Sequence, residues 1–184
     1  MNIEMIPMLV QEINDCLNDN HLIAALTMAL TLPDVCGKAE YPNERSSSKR
    51  YVDWFDTNLG ETENPEFIFE DNLPSLTGEV VYQTRCSFLH QGTPYVDIDR
   101  ISAERNKANN FKLVLEDKND FDIYCDHSSV FSSNCSNFHQ NRSHIISVRR
   151  LCLIISSVAL GYYKNNKEKF SFINVSFEDR RTTQ

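Results

Sequence analysis

Along the first half of the chain, apolar residues recur at the three- and four-residue spacing of an α-helix; later, over short stretches, they alternate with polar ones as in a strand. Ile6, Leu9, Ile13, Cys16 and Leu17 share one helical stripe and predict an amphipathic helix over roughly residues 5 to 18, with Asn20 at its end. Leu22, Ile23, Leu26, Ala29 and Leu30 repeat the pattern. Pro33, which has no amide to donate, is expected to kink or break this second helix before Gly37 and Tyr41-Pro42. A polar run from Asn43 to Lys49 reads as a loop. The stretch from Ser48 to Gly60 reads as a third helix, with Ser48 as its cap, Tyr51, Val52, Trp54 and Phe55 as its apolar bulk and Gly60 as its stop. After a long connection over 60–74, Ser75 to Gln91 forms a fourth helix that ends at Gly92 and Pro94.

Beyond residue 110 the period changes. Phe111-Lys112-Leu113-Val114-Leu115-Glu116 and Phe121-Asp122-Ile123-Tyr124-Cys125 alternate around the turn signal Asp117-Lys118-Asn119-Asp120, which predicts a hairpin. The Ser- and Asn-rich stretch 128–143 predicts an exposed loop. Ile145 to Tyr163 is the most hydrophobic helix, with Val148, Leu151, Ile155, Val158 and Tyr162 on one stripe, and is expected to lie centrally. Residues 170–179 can add a final strand. The expectation is a mainly α single domain over 1–184: a bundle of about five helices with a small β-hairpin and loop insertion at about 111–142 and a C-terminal strand.

Charge narrows the function classes. With 18 Lys and Arg against 26 Asp and Glu, the net charge is -8, which argues against broad adhesion to nucleic acid through a basic surface and leaves only a local basic cleft. Cys16, Cys36, Cys86, Cys125, Cys135 and Cys152 form no CxxC pair, and the N-terminal residues carry acids where a signal peptide would be basic. A reduced, cytoplasmic protein is expected. The uncharged run from Leu151 to Tyr163 falls short of the ~20 residues that span a bilayer, so no membrane partner is expected. Cys125, His127, Cys135, His139 and His144 carry zinc-binding groups, but their spacing matches no zinc finger, and strand ends with a polar loop account for them equally well. No metal or cofactor is expected.

The stretch that carries candidate chemistry is Thr84-Arg85-Cys86-Ser87-Phe88-Leu89-His90-Gln91-Gly92. At about 100° per residue, Leu76, Val80, Val81, Thr84, Ser87 and Phe88 gather on one side of the helix, suited to the core. Arg85 and His90 straddle the other side, with Glu79, Tyr82, Gln83 and Cys86 between or beside them. A face that also holds Tyr82 and Leu89 is more apolar than solvent requires, so a covering helix is expected, and a second copy of the chain could supply it. Glu79 is a candidate carboxylate for orienting Arg85 or His90, and Asp34 beside Pro33 is another; the competing account of each is an ordinary solvated carboxylate. Arg149 and Arg150 could line a phosphate path, but flanking an apolar run at the surface is the favoured account. On most helices an Arg and a His five residues apart are solvated or cap a carbonyl.

An arginine followed after four to six residues by a histidine late in a helix, within a small helical bundle, resembles the HEPN superfamily, many of whose members are metal-independent ribonucleases. The match is Arg85-Cys86-Ser87-Phe88-Leu89-His90; the polar residue that usually follows the arginine is Cys86 here. The resemblance implies catalytic roles for Arg85 and His90 only, in a site shared by a homodimer; Glu79, Tyr82 and Cys86 are supporting candidates from their places on the helix. The resemblance further implies RNA as substrate, a place among toxins or in phage defence, and a protein partner or antitoxin. Chemically, histidine exchanges protons near neutral pH and arginine offers a forked cation for phosphate oxygens. Two rivals stand beside this expectation: a non-catalytic module of the same fold whose 79–92 face binds a protein or nucleotide, and a zinc-stabilised interaction domain.

Overall fold

The computed structural model describes residues 4–60, 76–93, 96–102, 110–116, 126–127 and 142–173. Among these, helices dominate: α1 (Met5–Asn18), α2 (Leu22–Ala29), α3 (Leu32–Glu40), α4 (Ser47–Phe55), α5 (Gly78–Gln91) and α6 (Val148–Asn165), with strands β1 (Asn110–Val114), β2 (Asp126–His127) and β3 (Arg142–Ser147). The fold is mainly α with a small sheet, as the patterning predicts. The connection 61–75, the stretch 117–125, the loop 128–141 and the tail 174–184 lie outside the described residues, and the expected second hairpin strand and most of the expected final strand fall there.

α1 buries Ile6, Val10, Ile13 and Leu17, one stripe at helical spacing. The chain reverses at Asn20, a left-handed residue at φ 61°, a conformation that asparagine tolerates better than most side chains. The break between α2 and α3 comes at Leu30–Thr31, where the Thr31 hydroxyl donates to the Met28 carbonyl at 2.7 Å. Pro33 occupies the first turn of α3, where a missing amide leaves nothing unsatisfied. By length and composition Leu22–Glu40 could cross a membrane, but Leu22, Ala25, Leu26, Ala29, Leu30, Leu32 and Cys36 are buried in the core. Ser46, two residues before the expected cap Ser48, caps α4 by accepting the Lys49 amide at 3.2 Å. α4 then widens into a π-helical turn over Asp56–Gly60. Thr77 caps α5, and Gly92 closes it at φ 70° while the Thr93 amide reaches back to the Ser87 carbonyl.

The described strands form a sheet that the patterning did not anticipate, and one helix boundary is corrected. The sheet order is β1-β3-β2, with β1 parallel to β3 (Asn110 opposite Ser143, Val114 opposite Ser147) and β2 antiparallel to it. A two-residue period identifies a strand but not its partner; β1 pairs with the strand that carries buried Ile146, and its own Phe111 and Leu113 pack on the same core. Residues 145–147, expected to open the last helix, finish β3 instead. Ser147 caps α6 by accepting the Arg150 amide at 3.2 Å, and the β-branched pair Ile145-Ile146 suits extended backbone. α6 is central as expected, packing on α1, α2 and α3. Its buried stripe, however, runs through Val148, Leu151, Cys152, Ile155, Ala159 and Tyr163, leaving Val158 and Tyr162 at its edge.

Arg149 also departs from expectation. Its side chain is buried, not held at the surface, and its guanidinium donates at 2.8 Å to the Leu17 carbonyl and at 2.8 Å to Asn20 Oδ1. A cation thus satisfies the last carbonyls of α1, where the helix dipole favours positive charge.

Two glycines set how closely the site-bearing helices approach. A methyl group on Gly37 of α3 would stand 2.6 Å from the Arg50 carbonyl oxygen of α4, and one on Gly78 of α5 would stand 2.7 Å from the Val52 carbonyl oxygen. Both neighbours are backbone and cannot turn aside. Gly161 in α6 has nothing within 4 Å of the same position. Alanine is the better helix former by about 1 kcal/mol, and overpacking costs about 1–3 kcal/mol. Gly161→Ala should therefore raise the urea midpoint, whereas Gly37→Ala and Gly78→Ala should lower it. Equal gains at all three positions would refute the close approach.

Candidate functional site

The core face of α5 is laid out as its spacing predicts: Val80, Val81, Thr84 and Ser87 are buried. Thr84 returns its hydroxyl to the Val80 carbonyl at 2.8 Å, so a polar side chain can lie there without an orphaned donor. This orientation carries Arg85 toward α3. Arg85 Nη2 lies 2.8 Å from Asp34 Oδ2, with the two side chains 22% and 25% exposed. Arg85 Nη1 lies 3.4 Å from His90 Nε2 and 4.0 Å from Cys86 Sγ. Arginine has no acceptor, so in this contact the guanidinium is the donor and Nε2 the acceptor. His90 itself is exposed, in the last turn of α5 and one residue from its end.

Burial and pairing pull against each other at the ion pair. Desolvation raises the Asp34 carboxyl above the ordinary aspartate value and outweighs the lowering by Arg85 and, more weakly, by Arg50. For Arg85, burial opposes the charge, but Asp34 with Cys86 and Tyr82 more than offsets it, so the guanidinium is held firmly cationic. Beneath the pair lies Tyr51, fully buried, whose hydroxyl donates to the Leu30 carbonyl at 3.2 Å. Burial above all, together with the nearby Asp34 carboxylate, pushes its phenol well above the usual range. Tyr82 of α5 meets Tyr51 edge to face with ring centroids 5.3 Å apart. Burial raises the Tyr82 phenol as well, with Ser47 and Cys86 as its polar neighbours.

The structure thus gathers Arg85, His90, Cys86 and Tyr82. Glu79 Oε1 accepts the Ser102 amide at 3.2 Å. The carboxylate at Arg85 is Asp34, which α3 and α5 bring together across a long stretch of sequence; its one local signal was a position in the first turn of a helix opened by Pro33. The covering helices expected over Tyr82 belong to the same chain: α4 supplies Tyr51 and α3 supplies Asp34. Arg149 caps α1 and takes no part. Cys125, Cys135 and His139 lie outside the described residues, and the described residues contain no group of three or more His, Cys, Asp or Glu able to hold a metal. Compared with family models, curated proteins and solved structures, the chain finds no match.

Because the folded state binds the Asp34 proton more tightly than the unfolded chain does, the stability contributed by this group is full below the ordinary aspartate pKa and is lost as pH rises through its folded pKa. Carboxyl-carbon NMR should place the Asp34 titration above that of an exposed aspartate. Arg85→Ala should move it higher still, since the guanidinium lowers it. A titration below the ordinary value would mean that pairing outweighs desolvation.

Proposed function

We propose that the chain is a HEPN-like, metal-independent endoribonuclease whose site is completed by a second copy. The observation that carries this reading is the contact of the Arg85 guanidinium with the His90 imidazole at the open edge of α5. In the proposed reaction, His90 Nε2 takes the proton of an RNA 2′-hydroxyl and the 2′-oxygen bonds to phosphorus. The bond to the 5′-oxygen breaks, leaving a 2′,3′-cyclic phosphate, and the leaving oxygen receives a proton from the imidazolium of the second copy. Arg85 bears against the phosphate as its negative charge gathers. Asp34 holds the guanidinium in place and faces it with an acceptor, which limits how far Arg85 turns. Two such pairs in a symmetric cleft would concentrate positive charge on a chain of net charge -8. By resemblance, the biological setting is a toxin or defence role with a protein partner that restrains it.

A second reading is a non-catalytic module of the same fold that binds a protein or nucleotide through the same face. Asp34 favours it, because one arm of the guanidinium is already engaged.

The test is incubation of the purified chain with a mixed RNA pool in EDTA, beside Arg85→Ala and His90→Ala, with dimerisation followed by sedimentation. Cleavage with 2′,3′-cyclic phosphate ends is expected, and each variant should lose about 10²- to 10⁴-fold, the worth of a positioned acid or base. A folded, dimeric and inert natural chain would instead favour the binding reading.

A further inference from the structure

A cavity of about 430 Å³ opens at the far end of α3 between the π-helical turn after α4 and the last turn of α6. Glu40 lies six residues beyond Asp34, about 9 Å along the α3 axis and on a different side of the helix, so this cavity is separate from the Arg85 site. Its volume is within the range of small-molecule sites.

The polar inventory of the cavity points to one ligand chemistry. Glu40 Oε2 accepts both the Tyr162 hydroxyl and, at 2.6 Å, the Lys169 ammonium. Bonding to Lys169 first, and then to Tyr162, holds Glu40 below the ordinary carboxylate range, so it acts purely as an acceptor. With its charge matched by Lys169, the cavity has no excess cation for a phosphate and no excess anion for an amine. Asn58 gives its amide N–H to the Trp54 carbonyl at 2.7 Å, and Asn166 gives its own to the Tyr162 carbonyl at 2.9 Å. In both residues one N–H is held on backbone, which orients the amide and leaves Oδ1 and the second N–H to be met. Thr57 and Asn165 line the same space and add groups that both donate and accept. Val158 and the Tyr162 ring form an apolar wall. A neutral cavity rich in acceptors, with one apolar wall, suits a ligand with several hydroxyl donors around a compact C–H-bearing ring. The π-helical turn that supplies Thr57 and Asn58 is a rare backbone form that is frequent at functional sites.

We infer that this cavity binds a single sugar ring, recognised through adjacent hydroxyl groups by Glu40, Thr57, Asn58, Asn165 and Asn166. The ring could arrive as a free monosaccharide or as the ribose of a nucleoside.

Calorimetry and saturation-transfer NMR on the full chain, with ribose, glucose, galactose, adenosine and uridine, decide the matter. At least one ligand should bind, and Thr57→Ala and Asn165→Ala should each weaken it by about 2- to 10-fold, the worth of one neutral hydrogen bond. Arg85→Ala should leave binding unchanged, and the Thr57 and Asn165 variants should keep any RNA cleavage, so failure here is distinguishable from failure of the nuclease reading. Binding of monosaccharides as tight as that of nucleosides supports a free sugar; binding of nucleosides alone, sensitive to the same two variants, supports a ribose. No binding by any of the five, or binding undiminished in a folded Thr57→Ala/Asn165→Ala double variant, overturns the inference.

Discussion

The candidate site depends on how closely three helices can lie. α4 runs between α3 and α5, and at each contact the neighbour presents a glycine to α4 backbone. With no side chain there, α3 and α5 draw in until Asp34 and Arg85 meet over the buried ring of Tyr51. Cores are packed densely enough to pass a displacement of one ångström from helix to helix, while an ion pair tolerates little of it. The same α4 turns outward at Asp56, where a carboxylate oxygen receives the Gly78 amide at 2.6 Å and fixes the start of α5. Spacing and anchoring of the helix that carries Arg85 therefore come from one element.

Electrostatically, the arrangement keeps positive charge local on an acidic molecule. Arg85 is held cationic against partial burial, and its carboxylate partner is itself raised by desolvation. An anion approaching the open side meets a guanidinium already oriented, beside an imidazole whose lone pair faces that same group. Preorganisation of this kind is what a phosphate-handling site requires, since little charge then has to be rearranged on binding. Against that stands Asp34, which already engages one arm of the guanidinium.

Much of the helical frame was legible because it follows from one-dimensional periodicity. The stripe through Ile6, Ile13 and Leu17 fixed α1, and the angular placement of Val80, Thr84 and Ser87 fixed which side of α5 faces inward, hence where Arg85 and His90 lie. What stayed hidden needed three dimensions. The second helix was expected to kink or break before Gly37, yet Gly37 sits inside α3 as a point of close approach, which spacing alone cannot show. Asp34 looked like any first-turn carboxylate, and Glu79 looked nearer to Arg85, although its carboxylate accepts the Ser102 amide. β1 announced itself by alternation, but its parallel partner lies beyond a long crossover that no local turn signal encodes. Arg149 looked like a flank of an apolar run because its partners, Leu17 and Asn20, are 132 and 129 residues distant.

That last contact bears on how the molecule is made. α6 is central to the packing and comes late in the chain, and its arginine closes the end of the first helix. Just beyond α6, Lys167 pairs with Glu4, 163 residues away. During synthesis α1 to α5 leave the ribosome before the helix that completes their shared core. The early helices must wait with their apolar stripes open, and folding of the whole gathers into a late, long-range step. A truncated chain ending before α6 would lack the centre of the bundle as well as its last helix, so premature termination yields an exposed apolar surface with neither a closed α1 nor a settled frame for α5.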